Sequence, residues 1–295
     1  MSSSRAEKYL SLATYNFKGY NEDELMSMAR KTLEKGMHGL CFSPYVEGQK
    51  PGDQLSDNQI RRRLEIIKPY TKWVRSFSCT EGNENIPRLA KEYGMKTLVG
   101  AWLGNDRESN EKELEGLIQL TNEGVVDIAA IGNEVLYRGD LTESELLDYI
   151  HRGKVEIEDV PVGYVDAYYE FRDHPKVSEA CDIILANCYP FWEGCEMDYS
   201  LLYIKDMYRQ AQEAAQGKKV IITETGWPSQ GTNLRGALPS YQNFLKYFIN
   251  TQKWSQEAEI EIFFFSSFDE SWKVGTEGDV GAYWGLWDKD ENLKF

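Results

Sequence analysis

Histidine is scarce in this chain and cysteine is poorly spaced. Only His38, His151 and His174 occur in 295 residues, none in a His-Glu-x-x-His arrangement, and no two of the five cysteines form a Cys-x-x-Cys pair. Zinc sites draw on such spacings, so no metal site is expected. The same shortage disfavours a serine-histidine-aspartate triad and leaves carboxylates as the natural acid and base. No cofactor is implied. Long apolar runs are missing too: no stretch reaches the eighteen or so residues of a membrane span, and Met1 to Ala6 lacks the charged and apolar regions of a signal peptide. The expectation is a soluble protein of undetermined address, cytoplasmic, or periplasmic or secreted if a leader has been trimmed. Basic charge is in deficit, with 33 Lys and Arg against 48 Asp and Glu and a net charge of −15. Such a surface argues against nucleic acid or an anionic membrane as partner. The one basic run, Arg61-Arg62-Arg63, lies in a helical pattern and reads as a solvated face. Five cysteines, Cys41, Cys79, Cys181, Cys188 and Cys195, cannot all pair within one chain, and the first four sit in or beside strand-like runs. They read as free thiols. No low-complexity linker divides the chain, and nothing in it demands a partner subunit, so a monomer is expected.

Apolar and aromatic residues are plentiful. They make up 41% and 13% of the chain, with 8 Trp and 18 Tyr, enough for a large core with flat side chains left for sugar stacking. Short apolar runs, the strand candidates, begin near residues 39, 73, 96, 125, 161, 182, 220 and 260. Helical patterns separate them, several opened by capping signals: Asn21 with Glu24, Ser56 with Gln59, Thr142 with Glu145. Eight strands alternating with helices are what an α/β protein of the (β/α)8 TIM-barrel class needs, in about 250 residues. Residues 1–295 therefore read as one catalytic barrel domain, with residues 1–8 a disordered or artificial extension. The tail from Val274 shows no amphipathic helix, so the helix at 22–35 is expected to complete the outer ring beside strands one and eight.

Parallel barrels carry their active sites at the C-terminal ends of the strands. The run Val220-Ile221-Ile222-Thr223-Glu224 reads as a strand buried on both faces, and such a strand has no structural reason to end on a carboxylate unless it is used or paired. The plain alternative is a glutamate solvated at the rim. Glu134 follows strand four, 90 positions earlier, so the two can face each other across the mouth. Its plain alternative is a strand-end glutamate beside a turn-forming Asn133. Two opposed carboxylates are the equipment for glycoside hydrolysis: a gap of roughly 5–5.5 Å gives a covalent intermediate and retention, a wider one admits water and gives inversion. Tyr189, leaving strand six, can either hydrogen-bond the strand-seven carboxylate or pack beside Pro190. Trp192, Trp227, Trp272 and Trp284, and more weakly Tyr45 and Trp102, are candidate sugar platforms, the alternative for each being core packing.

Together, Ile131-Gly132-Asn133-Glu134-Val135 and Thr223-Glu224-Thr225-Gly226-Trp227-Pro228-Ser229 resemble glycoside hydrolase family 17, the β-1,3-glucanase family. The likeness runs from Gly39-Leu40-Cys41-Phe42-Ser43-Pro44-Tyr45 to Tyr283-Trp284-Gly285-Leu286-Trp287, nearly the whole chain beyond about residue 36. It implies a retaining mechanism on a (β/α)8 barrel, with Glu134 as acid/base, Glu224 as nucleophile and Asn133 on the substrate 2-hydroxyl. Glu270 and Lys273 resemble the family's strand-eight Glu-x-x-Lys pair, against the alternative of a rim ion pair. Bulky, acidic exit loops such as Phe191-Trp192-Glu193-Gly194-Cys195-Glu196 look closer to bacterial members than to plant ones. The expected function is cleavage of β-1,3-glucosidic bonds in laminarin-type glucans or their oligosaccharides, endo or exo. A β-1,3-glucanosyltransferase would use the same residues. A non-catalytic β-glucan-binding barrel and a barrel hydrolase for another β-linked glycan are the remaining alternatives.

Overall fold

A computed structural model describes residue 15, residues 17–275 and residues 277–295; the expected extension at residues 1–8 lies outside them. Eight parallel strands close into a barrel in chain order. They are β1 (Met37–Cys41), β2 (Thr71–Ser76), β3 (Lys96–Ala101), β4 (Ile128–Asn133), β5 (Val162–Ala167), β6 (Ile183–Asn187), β7 (Val220–Thr225) and β8 (Ile262–Phe264). Closure is made by Gly39 and Leu40 of β1 against Phe263 and Phe264 of β8. A methyl group on Gly39 would lie 2.5 Å from the Phe263 ring, so that ring occupies the space a larger residue would fill.

The outer layer follows from capping and apolar periodicity. Helix α1 (Glu22–Glu34) opens on a complete Asn21/Glu24 capping box and buries Leu25, Ala29 and Leu33. It packs along the last long helix, Tyr241–Ala258, and Arg30 donates to the Phe295 carbonyl at 2.7 Å, so α1 takes the place of a helix after β8. The helix Glu143–Glu156 has the full Thr142/Glu145 box. At Asp57–Ile67 the box is half made: Ser56 caps the Gln59 amide, but the Gln59 side chain turns away to the Pro44 carbonyl and Gln49, where it braces the loop after β1. Cys41, Cys79, Cys181 and Cys188 are buried, and all five thiols are free. Among the described residues no helix is long and apolar enough to cross a membrane.

What positions the site is an irregularity shared by the strands that carry it. Register shifts fall between Ala130 and Asn133 in the β4–β5 ladder, between Ala186 and Asn187 in β6–β7, and between Ile222 and Thr225 in β7–β8. Bulges of this kind re-aim side chains at strand ends. Asn133 and Glu224 are the immediate beneficiaries, and both lie inside their strands rather than in the loops beyond.

Candidate active site

Side chains alternate across a strand, and β7 shows the consequence. Thr225 points outward, its hydroxyl 2.5 Å from the Tyr247 hydroxyl on the helix Tyr241–Ala258, while Glu224 points into the mouth. There Glu224 Oε1 accepts from Arg75 Nη1 at 2.6 Å and Oε2 from the Tyr189 hydroxyl at 2.8 Å. Arg75, on β2, is buried, lies over the Phe77 ring with 4.2 Å to the centroid, and its Nη2 donates to Asn133 Oδ1 at 2.6 Å. Burial is the largest single influence and works against the guanidinium charge, but Glu224 and Cys41 together hold Arg75 above its usual value. One side chain therefore fixes residues from β4 and β7 together. Bidentate charge-assisted bonding is what arginine's planar fork does and lysine's ammonium does not.

Glu134 stands on the opposite side in a left-handed conformation, φ 52°, directly after Asn133. Asn187 Nδ2 donates to its Oε1 at 2.9 Å, and Asn187 Oδ1 accepts from the Thr223 hydroxyl, also at 2.9 Å. No cation pairs with Glu134 among the described residues. Its carboxyl is raised to about 7, first by burial, then by the charge of Glu224, with Asn187 opposing and Asp166 adding. Unequal surroundings for two carboxyls at one mouth separate an acid from a base.

Tyr189 does bond the strand-seven carboxylate, and it also packs edge-on against Phe265 and Trp284. Lys273 Nζ and Glu270 Oε2 form a pair at 2.9 Å, both buried, and Lys273 lies over the Phe265 ring. This is no rim ion pair, and its second carboxylate oxygen has no hydrogen-bond partner among the described residues, nor has Trp272 Nε1. Trp102 and Trp192 are 41% and 40% exposed; the Arg138 guanidinium lies over the Trp102 ring with 4.5 Å to the centroid, and Trp192 packs against Phe191 and Trp284. Trp227 and Trp284 are corrected: at 0% and 2% exposure they are core. Trp227 is wedged between Phe191 and Tyr247 with its Nε1 on the Leu238 carbonyl, and Trp284 is packed by Tyr189, Phe191, Trp192 and Phe265. Tyr45 is also buried, edge-on to Trp272, and supports that ring rather than offering a platform.

Sequence reasoning missed Arg75, Asn187 and Glu277. Arg75 had a weak signal: it follows Trp73 and Val74 in a strand of a barrel, where a buried charge is costly without a partner, but the same strand also carries the exposed Lys72. Glu277, from the loop after β8, is raised to about 7 by burial against the opposing pull of Lys273, with Glu224 and Glu270 adding.

Two carboxyls held in unlike surroundings at one barrel mouth are the apparatus for cleaving a glycosidic bond, and a barrel so equipped falls in the class of carboxylate-pair glycoside hydrolases. Residues 39–285 match the family model described as the BtgE/BtgC glycoside hydrolase domain, and the chain belongs to that family. It is 28% identical to a glucan 1,3-beta-glucosidase of Saccharomyces cerevisiae, over 87% of this chain and 90% of that protein. With a glucan 1,3-beta-glucosidase of Schizosaccharomyces pombe it shares 30% identity, over 92% of this chain and 89% of the relative. Among solved structures it is similar to a glycoside hydrolase family 17 beta-1,3-glucanosyltransferase from Rhizomucor miehei, at 29% identity and a TM-score of 0.78, covering 88% of this chain and 96% of that one. The resemblance to family 17 is thereby borne out; a bacterial-type placement finds no support in these fungal relatives.

Proposed function

We propose that this protein is a retaining glycoside hydrolase that cleaves β-1,3-glucosidic bonds of laminarin-type glucans or their oligosaccharides. Glu224 attacks the anomeric carbon and Glu134 gives its proton to the departing glycosidic oxygen. Glu134 then takes a proton from the water that opens the glycosyl-enzyme. Asn133 is positioned for the 2-hydroxyl of the reacting sugar, with Arg75 fixing its amide. Glu270 and Lys273 form the buried ion pair of the site, and Trp102, Trp192 and Trp272 stack outlying sugars. The observation that carries this assignment is the asymmetry of the two carboxyls: Glu224 is bonded by a guanidinium and a phenol, Glu134 by one amide.

Transfer to a sugar hydroxyl instead of water is a second reading, favoured by the Rhizomucor miehei relative, which is named a glucanosyltransferase. The time course of products from laminaripentaose tests both. Hydrolysis gives only products shorter than the substrate, transfer adds longer ones, and a chain inert on laminarin but active on cellulose, mannan or xylan oligosaccharides would overturn the substrate class.

The acid must carry its proton, so kcat/KM is expected to fall as pH rises through the Glu134 value of about 7 in the free enzyme. Glu277 titrates in the same range but is assigned no proton transfer. A pH profile in which Glu277→Gln keeps the basic limb and Glu134→Gln abolishes it is the expected result.

A further inference from the structure

Strand β5 carries a second polar pair that the reaction, as set out above, does not use. Tyr164 and Asp166 lie two apart on one face of β5, and both are fully buried. The Tyr164 hydroxyl donates to Asp166 Oδ2 and accepts from the Leu136 amide at 2.9 Å. Asp166 Oδ2 also accepts from the Tyr137 amide at 3.4 Å, and Oδ1 from the Ala167 amide at 2.7 Å. Leu136 and Tyr137 belong to the single helical turn Val135–Arg138, whose first residue follows Glu134. The Glu134 amide itself donates to the Val165 carbonyl, again on β5, at 2.8 Å. A methyl group on Gly132 would meet the Tyr164 ring at 3.2 Å, so the ring also packs the strand end before the turn. A buried aspartate with no cation paired to it among the described residues is costly, and such a group calls for an explanation.

We propose that Tyr164 and Asp166 are positioning residues for the acid/base: they pin the turn on which Glu134 stands and set a buried carboxyl behind it. The proposal rests on the assignment of Glu134 as the acid. A non-glycine residue with positive φ is held only where its surroundings over-determine it, and here β5 supplies three bonds to Glu134 and the two residues of its turn. The charge acts in the same direction as the geometry. Groups facing Glu134 are Glu224 from β7, Asp166 from β5, Asn187 from β6 and Arg138 from its own turn; those facing Asp166 are Tyr164 and Glu170. An ionised Asp166 makes loss of the Glu134 proton harder, offsetting Arg138. Asp166 is itself raised, to about 6, first by burial, with the Tyr164 hydroxyl and the Ala167 amide opposing.

The test uses Asp166→Asn, which keeps an acceptor oxygen and removes the charge, and Tyr164→Phe, which removes only the hydroxyl. For Asp166→Asn the basic limb of kcat/KM on laminaripentaose is expected to move down by about one pH unit, because the neutral amide removes a negative charge that helps hold the Glu134 proton. For Tyr164→Phe, kcat/KM on laminaripentaose is expected to fall about ten-fold. On 2,4-dinitrophenyl β-laminaribioside, whose leaving group needs no proton, it stays within about three-fold. Losses of equal size on both substrates in both variants, or an unmoved limb together with unchanged leaving-group dependence, overturn the proposal. Each variant is read alone, so one that fails to fold leaves the decision to the other. Glu134→Ala separates the two claims: if it still cleaves laminaripentaose normally, the acid assignment fails; if it loses that activity while Asp166→Asn and Tyr164→Phe behave as wild type, only the positioning role fails.

Discussion

Glu224→Gly is expected to lower kcat/KM on laminari-oligosaccharides by more than about a thousand-fold, a loss above roughly 4 kcal/mol of transition-state stabilisation. Of the neighbouring carboxyls, Glu134 is on the leaving-group side and Glu270 is paired with Lys273. Sodium azide with an activated aryl substrate then distinguishes the two carboxyls by stereochemistry. In Glu224→Gly the space of the missing carboxylate admits azide to the face opposite the leaving group, and the product is an α-glucosyl azide. In Glu134→Ala the glycosyl-enzyme still forms, azide opens it from the other face, and the β-glucosyl azide accumulates. A β-azide from the first variant or an α-azide from the second would reverse the roles given to these residues, and retention of activity in Glu224→Gly would remove the nucleophile assignment altogether.

The strands were legible because each is a short run buried on both faces, a pattern set by local sequence. Their C-terminal ends were legible for a related reason: Glu134 and Glu224 are charges where the barrel interior tolerates none without use or partner. Boundaries were less secure, and Glu224 lies inside β7 because the ladder continues through Thr225 after a register shift with β8. What local sequence does not show is which strand end meets which across the mouth. Arg75 and Glu224 are separated by 149 positions and become partners only when the barrel closes. Asn187 is similar, joining Glu134 to Thr223 from the strand between them. The tryptophans fail in another way. Trp227 stands three residues from Glu224, yet the chain turns at Gly226, where a methyl group would lie 2.1 Å from the Phe265 carbonyl oxygen, and the indole is carried into the layer between barrel and helix. Nearness in sequence to a reacting group says nothing of which way a ring faces after a turn.

Arg75→Met is expected to damage both stability and activity, and the two losses have one origin. The guanidinium and the Glu224 carboxylate are at 2% and 8% side-chain exposure, so neither is solvated, and removal of one leaves the other as a buried charge with the Tyr189 hydroxyl alone. Breaking such a pair costs about 3–5 kcal/mol, which should show as a clear drop in melting temperature at neutral pH. Activity should fall by about a hundred-fold or more, since Asn133 loses the donor that orients its amide and Glu224 the one that fixes Oε1. Arg75→Lys keeps the charge but not the fork that reaches both Oε1 of Glu224 and Oδ1 of Asn133. It should recover part of the stability and little of the activity. A double-mutant cycle separates this account from simple loss of packing. With Glu224→Gln as the second change no charge is left stranded, so Arg75→Met should cost less there than in the wild-type background. Additive losses in the cycle would mean that Arg75 stabilises the barrel through its contact with the Phe77 ring and not through Glu224.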